Sequence, residues 1–428
     1  MGDRPKHLRL LAVQTTSSVT SEVIVLHTLL KSLYPLSREN GIPVDVLLIQ
    51  GIDGHANKAA GRQAAGLFRQ IPNVTVLELN VGKLGQHDSP RFDRVMKIRD
   101  LLYLQLAKRS LFAKVRSFRP HVVYSAQQVW DLRIATPLAG SLACAQVIHL
   151  HYNVGPALGP GVVDALRQAQ MVITVSDFIR DDALAHGVAP SRVHALYNSI
   201  AVPRELSLLE RLGVRQAVRA ELGLPEDALI VGMAGRISPS KGQLQLMEAM
   251  VPSLIRDPRV HLVLAGSENP ARNGISDRIM HAAQKHNVTS QVHLLGHRSD
   301  VPRILDAIDL FAHPTRNDPC PLAVLEAAAH GLPIVAWREG GTATLVRDQE
   351  TGLLVEPMDV DGLAHALQTL ITDQGMRDAM GKMARERTAS IFNPDAAAAD
   401  FLSLLEMERT RELRFTHREG TTVAEQGS

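Results

Sequence analysis

The stretch that decides the fold is residues 229–250, LIVGMAGRISPSKGQLQLMEAM. Its first seven residues are a near-continuous apolar run, which is typical of a parallel strand that is covered on both faces. A loop containing glycine, serine and proline follows, and the segment after it has a helical pattern. This stretch therefore predicts a strand, a loop and a helix, which together are the repeating unit of a parallel α/β sheet.

The same alternation of short apolar runs and helical segments extends over the whole chain. The predicted strands are 8–16, 44–51, 74–80, 121–126, 145–151, 171–176, 193–198, 229–235, 261–267, 291–297, 310–314, 333–339 and 351–357. Because strands that alternate with helices form βαβ units, we predict an α/β fold class with two doubly wound, Rossmann-like domains.

A domain boundary is predicted near residue 205, because the alternation stops between Asn198 and Leu229. The predicted domains are 1–205 and 206–392, followed by a helix at 393–415 that crosses back and a disordered tail at 416–428. A cleft between the domains is expected, since ligands of such sheets bind outside the carboxyl ends of the strands.

Length and composition indicate a soluble globular protein of two domains, with 428 residues, 45% hydrophobic and 21% charged. A formal net charge of +2 gives no indication of a nucleic-acid partner. Two cysteines, Cys144 and Cys320, form neither a disulfide framework nor a metal pattern. The first apolar run predicts a strand and not a signal peptide, and no run reaches the roughly 18 apolar residues that span a bilayer. We therefore expect a cytoplasmic protein.

The loop after strand 229–235 is a candidate phosphate site. Gly235 ends the strand, Arg236 follows at once, and a helix is predicted to start near Lys241. A helix start binds anions, whereas a lysine there is unfavourable unless an anion lies beside it. Two cations could therefore clamp a diphosphate, with a solvated loop as the alternative. Because no G-x-G-x-x-G or Walker pattern is present, a nicotinamide dehydrogenase and a P-loop protein are not indicated.

Two carboxylates flank a turn in residues 317–331, NDPCPLAVLEAAAHG. A helix is predicted from about Pro321, which leaves the N–H groups of Leu322 and Ala323 free for an anion. Glu326 lies one turn further on an otherwise apolar helix, where it needs a partner such as a ribose diol. Asp318 lies before the helix and is expected to face the group beyond the phosphates. The alternative is a turn residue at Asp318 and a solvated helix residue at Glu326.

The ordered motifs GRISPSKG, LVLAGSE, LLGHRSDVP, DPCPLAVLEAAAHGLPIVAWREGG and TGLLVEP resemble a known family. They are similar to the carboxyl-terminal domain of GT4 retaining glycosyltransferases, which have the two-domain GT-B fold. The resemblance is strong over residues 229–392. It is looser in the first half, where it rests on VIHLHYNVG, VITVSDFIRDDAL and VHALYNSI.

The resemblance implies a role for each candidate site residue. Arg236 and Lys241 would bind the donor diphosphate, Glu326 would hold the ribose, and Asp318 would contact the transferred sugar. His151, near the donor sugar, is preferred to His149, which has the same strand parity. The other implied donor-site residues are Gly235, Gly266, His297, Arg298, Pro321, Leu322 and Ala323, with base recognition through the backbone near 296–298. No metal and no cofactor are expected.

Four positions depart from the family pattern. The first acid is Asp318 where the family has Glu, so its reach is one methylene shorter. Ser17 and Ser18 replace glycines of an N-terminal loop, which restricts close backbone approach. Ser199 follows Asn198 where Gly is usual, and Thr344 stands where Glu is frequent.

A basic segment at 91–119 has two interpretations. It has nine Lys or Arg residues interleaved with apolar ones. One interpretation is a surface for an anionic membrane or a lipid-linked acceptor, at the inner membrane face. The other, which we favour, is an ordinary helix pair with a solvated basic face.

The sequence thus predicts a metal-independent retaining glycosyltransferase. The expected donor is a UDP- or GDP-sugar, and the expected acceptor is a hydroxyl of a carbohydrate, a lipid-linked molecule or a small molecule. One alternative is a catalytically silent nucleotide-sugar-binding partner subunit, suggested by Asp318 and the replaced glycines. A second alternative is a sugar-nucleotide epimerase, which would release a new sugar without an acceptor.

Overall fold

A computed structural model describes residues 7–16, 18–52, 58–80, 111–126, 129–155, 161–268 and 274–425. The chain forms two compact units. The first unit contains Met1–Ser199 and Pro394–Ser428, and the second contains Ile200–Asn393. The domain boundary predicted near residue 205 stays a prediction. Ser17 and most of the basic segment, residues 91–110, lie outside the described residues.

The first unit is built on a parallel sheet of seven described strands in the order β3-β2-β1-β4-β5-β6-β7. The strands are β1 (Leu8–Gln14), β2 (Val44–Ile52), β3 (Val74–Asn80), β4 (Val122–Ala126), β5 (Ala145–Leu150), β6 (Met171–Thr174) and β7 (Val193–Ala195). In the register, Leu10 of β1 pairs with Val46 on one side and Val122 on the other. The order reverses at β1, as it does in doubly wound sheets.

Helices cover both faces of this sheet, because alternate strand residues point to opposite sides. Leu8, Leu10 and Ala12 pack in one apolar cluster, whereas Leu11 and Val13 pack in another. The helices are α1 (Ser21–Glu39), α2 (Lys58–Arg69), α3 (helical at 111–118), α4 (Val129–Leu142), α5 (Val162–Gln168), α6 (Asp177–Ala185) and the final helix α15 (Pro394–Glu425).

The final helix belongs to the first unit, where it packs against α1. Phe401 is fully buried, and its ring lies 5.7 Å from that of Tyr124. Burying a phenylalanine side chain contributes about 1.5–3 kcal/mol. The helix continues to Glu425, ten residues beyond the predicted end at 415. Its sequence has no proline after Pro394 and many strong helix formers, so no residue there enforces a stop.

The second unit is built on a parallel sheet of six described strands in the order β10-β9-β8-β11-β12-β13. The strands are β8 (Leu229–Ala234), β9 (Val260–Ala265), β10 (Val292–Leu294), β11 (Leu310–His313), β12 (Ile334–Trp337) and β13 (Gly352–Val355). The helices are α7 (Leu208–Leu222), α8 (Gln243–Arg256), α9 (Ile275–Lys285), α10 (Val301–Leu305), α11 (Leu322–Ala329), α12 (Thr342–Leu345), α13 (Val360–Thr372) and α14 (Gln374–Ile391).

Local sequence explains where the helices of this unit begin and end. Ser207 caps α7 in a capping box with Glu210, and Gly223 ends the helix with a φ of +66°. Helices α8, α9 and α13 pack together, and α11 packs against α14. The apolar core on one face includes Val231, Met233 and Leu246, all buried. Two doubly wound α/β units confirm the predicted fold class.

None of the described helices is long and apolar enough to cross a membrane.

Candidate functional site

The loops that follow β8, β9 and β10 in the second unit pack backbone against backbone. The N–H of Gly235 donates to Ala265 O at 2.9 Å, and the N–H of Gly266 donates to Gly296 O at 2.8 Å. A Cβ on Gly266 would lie 1.8 Å from Gly235 O, so only glycine fits there. The structure therefore brings the predicted residues Gly235 and Gly266 together at the carboxyl end of the sheet.

Helix α8 begins at Gln243, two residues later than predicted. Pro239–Lys241 form a single 3₁₀ turn, and Gly242 after it has a φ of +77°, which interrupts the helix. A Cβ on Gly242 would lie 2.0 Å from Pro314 O, so the close approach of β11's loop requires glycine. The buried Gln243 side chain holds the loop in place, because its Nε2 donates to Arg236 O at 3.0 Å.

Lys241 forms an ion pair with Asp318 across this loop. Its Nζ donates to Asp318 Oδ2 at 2.6 Å, and the two side chains are only 25% and 14% exposed. The sequence argument took a lysine at this position to need a bound anion. The structure corrects that argument, because a carboxylate of the chain itself, 77 residues away, neutralises the lysine.

Arg236 differs from Lys241 in this respect. Its side chain is exposed and makes no hydrogen bond or ion pair with the residues that the structure describes. Because Arg236 stands between Gly235 and the 3₁₀ turn, its guanidinium is a cation available to a ligand at this edge of the sheet.

Asp318 is fixed by the glycine pair after β12. The N–H of Gly341 donates to Asp318 O at 2.8 Å, and a Cβ on Gly340 would lie 2.4 Å from the same oxygen. The preceding residue, Asn317, has a φ of +51°. The carboxylate is therefore placed by a rigid backbone and not by a freely moving loop.

Helix α11 begins at Leu322, and Pro321 is its N-cap residue, not a member of its first turn as predicted. The ψ of Pro321 is 108°, which is extended and not helical. Val324 donates to Pro321 O at 3.1 Å, so the earlier N–H groups of Leu322 and Ala323 have no acceptor inside the helix. No side chain caps this end of α11, and the free N–H groups of a helix start are a general site for anions.

Glu326 lies one turn further along α11 and is half-buried. Burial raises the pKa of its carboxyl, and nearby His330 partly opposes that effect. His330 is itself bonded to Asp306 at 2.6 Å. The Glu326 carboxylate has no hydrogen-bond partner among the described residues, and its predicted role as a ribose-binding residue stays a prediction.

Arg298 is held by other side chains. It donates to Asp300 at 2.8 Å and lies 2.8 Å from Glu221, and these hydrogen bonds raise its pKa. Its guanidinium is thus occupied, whereas its neighbour His297 is exposed. A ligand that binds at 296–298 would therefore contact the backbone and the His297 side chain.

The first unit places His151 directly after β5. It is 8% exposed, and burial lowers its pKa to about 4, although Glu22 acts in the opposite direction. His149 is 1% exposed and its Nδ1 lies 2.8 Å from Tyr124 Oη. Burial also lowers the pKa of His149 well below its usual range. The two rings lie 4.3 Å apart, and His151 is the more exposed of the two.

Two buried carboxylates of the first unit were not predicted from the sequence. Glu22 of α1 accepts a hydrogen bond from Tyr152 Oη. Burial alone would raise the pKa of Glu22, but bonds from Thr20 and Tyr152 bring it below its ordinary value. Glu22 is the charged residue in an otherwise apolar run, SEVIVL, and this exception could have identified it from the sequence.

The second missed carboxylate is Asp131 of α4, which is fully buried. Its Oδ1 accepts the N–H of Thr15 at 2.5 Å, and burial raises its pKa to about 7. It anchors the loop between β1 and α1, from 116 residues away along the chain. No local pattern around Asp131 indicated this long-range contact.

No group of three or more His, Cys, Asp or Glu side chains is placed to hold a metal ion, as far as the described residues are concerned.

Two family models match the chain. Residues 214–387 match glycosyl transferases group 1, and residues 56–204 match glycosyltransferase family 4. The chain is 35% identical over 191 residues to a D-inositol 3-phosphate glycosyltransferase of Corynebacterium glutamicum (strain R), covering 44% of this chain and 45% of that protein. It is 30% identical over 187 residues to the lipopolysaccharide core biosynthesis glycosyltransferase LpsE of Rhizobium meliloti (strain 1021), covering 44% and 52%. The chain thus spans about half the length of the curated relatives it matches.

A solved structure shares the fold. Anabaena Alr3699/HepE in complex with UDP superposes with a TM-score of 0.72 and 20% identity, covering 94% of this chain and 100% of that one. This similarity confirms the two-domain GT-B fold that the sequence resemblance implied.

Proposed function

Because this chain belongs to the glycosyl transferases of group 1 and family 4, we propose that it transfers a sugar from a nucleoside-diphosphate sugar to an acceptor hydroxyl. We propose further that it does so with retention at the anomeric carbon and without a metal ion. The observation that supports this function best is the cationic loop of the second unit. It combines Arg236, which has no partner among the described residues, with Lys241, whose carboxylate partner Asp318 lies beside an uncapped helix end.

Each of these groups has a part of the donor to bind. Arg236 and Lys241 bind the diphosphate, with Lys241 leaving Asp318 to do so. The free N–H groups of Leu322 and Ala323 add neutral donors to the same anion. Glu326 accepts hydrogen bonds from the ribose diol, which satisfies a carboxylate that is otherwise half-buried and unpartnered.

The reaction then follows from where charge develops. The bond between the anomeric carbon and the diphosphate oxygen breaks, and its electron pair leaves with the diphosphate. Arg236 and Lys241 stabilise that charge in place of a metal ion. The acceptor oxygen forms its new bond from the same face, and its proton passes to the departing diphosphate. Asp318 positions the sugar, and His151 offers a neutral imidazole to a substrate hydroxyl.

The first experiment measures thermal stability with UDP, GDP and ADP, each with EDTA present. A ligand at 100 times its Kd stabilises a protein by about 2.7 kcal/mol. UDP is tested first, because UDP is the ligand named for the structure of similar fold. We expect a shift with one diphosphate and none with uridine, guanosine or adenosine, which lack the group that Arg236 binds. The absence of a shift with every nucleotide contradicts the proposed donor site.

The second experiment determines the anomeric configuration of the product by NMR, with the matching UDP- or GDP-sugar and EDTA. An inverted product contradicts retention, and activity that is lost with EDTA and restored by Mg²⁺ contradicts metal independence. The acceptor is proposed to be a hydroxyl of a carbohydrate, a lipid-linked molecule or a small molecule. The cytoplasmic location and the membrane contact through 91–119 stay predictions.

One specific observation favours a second candidate, a catalytically silent nucleotide-sugar-binding subunit. Asp318 is shorter than the family's Glu, and it is engaged with Lys241 at 2.6 Å. A silent protein would bind the nucleotide without consuming the sugar, so turnover distinguishes the two functions. An epimerase would instead release a new free sugar with no acceptor present.

A further inference from the structure

His313 is the last residue of β11 and has no role in the function proposed above. Its side chain is 2% exposed. The ring stacks on that of Phe311, with centroids 6.4 Å apart and planes inclined by 16°. An imidazole in this position is held rigidly by the strand and lies directly behind the loop that contains Asp318.

One ring nitrogen of His313 is partnered and the other is not. Nδ1 lies 3.4 Å from Thr315 Oγ1, and that hydroxyl donates to Lys241 O at 3.2 Å. Nε2 is buried without a hydrogen-bond partner among the described residues. Asp318 Oδ2 lies 3.9 Å from this nitrogen. Because an unsatisfied buried polar atom costs free energy, a state in which Nε2 gains a partner is favoured.

The same oxygen of Asp318 is the one that Lys241 binds, at 2.6 Å. Lys241 and His313 therefore approach a single carboxylate oxygen from two elements, the loop after β8 and the end of β11. Of the two, the lysine is closer and satisfies Asp318. Burial, with the charge of Lys241, holds the pKa of His313 at about 4, while Asp318 acts in the opposite direction.

We propose that His313 becomes the partner of Asp318 when Lys241 moves onto a diphosphate, and that it takes up a proton from solvent as it does so. This inference rests on the proposed function, because it requires Lys241 to bind the donor. The proton adds to Nε2, and no covalent bond of the protein changes. His313 is thus a positioning residue, which holds Asp318 against the sugar after its lysine partner has left.

Three electrostatic changes favour the exchange. Removing Lys241 takes away the cation that opposes protonation of the imidazole. It also leaves Asp318 with an unpaired negative charge beside Nε2, in a region of low exposure where such a charge is costly. The arriving diphosphate adds further negative charge. Because binding raises the pKa of His313, protons are taken up and binding strengthens as the pH falls toward 5.5.

The test is titration calorimetry with UDP at about pH 5.5, in two buffers of different ionisation enthalpy. This pH lies between the value of about 4 in the free chain and the ordinary histidine value of about 6.5. We expect UDP binding to take up fewer protons in His313→Gln than in the wild type. The expected difference approaches one proton per UDP bound. Taking this difference cancels the protonation change of UDP itself. A merely structural role for His313 would not alter the proton count.

The matched control is His293→Gln, which removes a half-buried histidine of the same unit that contacts His261. It is expected to keep the wild-type proton uptake. Asp318→Asn is a second test, independent of whether His313→Gln folds, and it must also lose the uptake. Equal uptake in wild type and either test variant overturns this inference and leaves the proposed function intact. Failure of the wild type to bind UDP, GDP or ADP overturns the proposed function, and this inference with it.

Discussion

The carboxyl ends of the two sheets differ in how many charged side chains they carry. In the second unit, full charges stand at this edge: Arg236, Lys241, Asp318 and Glu326, the first exposed and the others partly buried. In the first unit, the edge has neutral imidazoles, because burial lowers the pKa of His151 to about 4 and that of His149 well below its usual range. The same α/β topology therefore presents charged side chains at one edge and buried imidazoles at the other.

Solvent exposure explains this difference. Arg236 is exposed and Lys241 is partly exposed, whereas His149 and His151 are buried, and burial lowers the pKa of both imidazoles. Under the proposed function, the second unit binds the diphosphate, and the first unit contributes shape and hydrogen bonding rather than charge.

Replacing Arg236 by alanine is expected to have the largest effect on activity. We expect a loss of about 10²–10³ in kcat, or about 3 kcal/mol, because the departing diphosphate loses a cation. Steady-state kinetics with the donor found by thermal shift would measure it. Arg256→Ala is the control, since that exposed arginine lies at the far end of α8. Equal activity of the Arg236 variant and wild type would remove Arg236 from the mechanism.

Glu326→Gln should separate donor binding from stability. A charged hydrogen bond contributes about 1.5–3 kcal/mol, so the nucleotide is expected to bind about ten- to a hundredfold more weakly. Burial raises the pKa of Glu326, so its ionised form opposes folding at neutral pH and the variant should unfold at the same or a higher temperature. Calorimetry and thermal unfolding together check both effects. Weaker binding accompanied by lower stability would indicate a structural role instead.

In the first unit, His151→Asn should lower kcat by about tenfold, as expected for one neutral hydrogen bond. Because the folded pKa of about 4 lies below the unfolded value of about 6.5, the unfolded chain binds more protons between these values. Stability therefore falls as the pH is lowered through this window. The difference in Tm between pH 7 and pH 5 should be smaller in the variant than in wild type. An unchanged difference would contradict a neutral, buried His151.

The smallest effect is expected for Asp131→Asn, which keeps an oxygen for the N–H of Thr15. The folded pKa of Asp131 is raised to about 7, above the unfolded value of about 3.9. Its contribution to stability is thus lost as the pH rises between those values. The variant should differ from wild type by roughly 1 kcal/mol or less at pH 5 and be relatively more stable at pH 8. Denaturant unfolding at both pH values measures this, and a large loss at pH 5 would show that the carboxylic acid is needed there.

The sequence by itself determined the α/β class and each of the described strands, because a strand covered on both faces must be apolar along its length. It also determined that Gly235 and Arg236 follow a strand and that Glu326 lies on an apolar helix. These features depend on residues that are close in the chain, where periodicity and turn chemistry act directly.

Only the tertiary structure decided which charges meet. The pair of Lys241 with Asp318 and the bond between Thr15 and Asp131 join residues of different βα units. Local sequence does not predict such contacts, since they depend on how neighbouring strands align in the sheet. Burial likewise decided that His151 is neutral, because the degree of desolvation depends on elements packed around it and not on its chain neighbours.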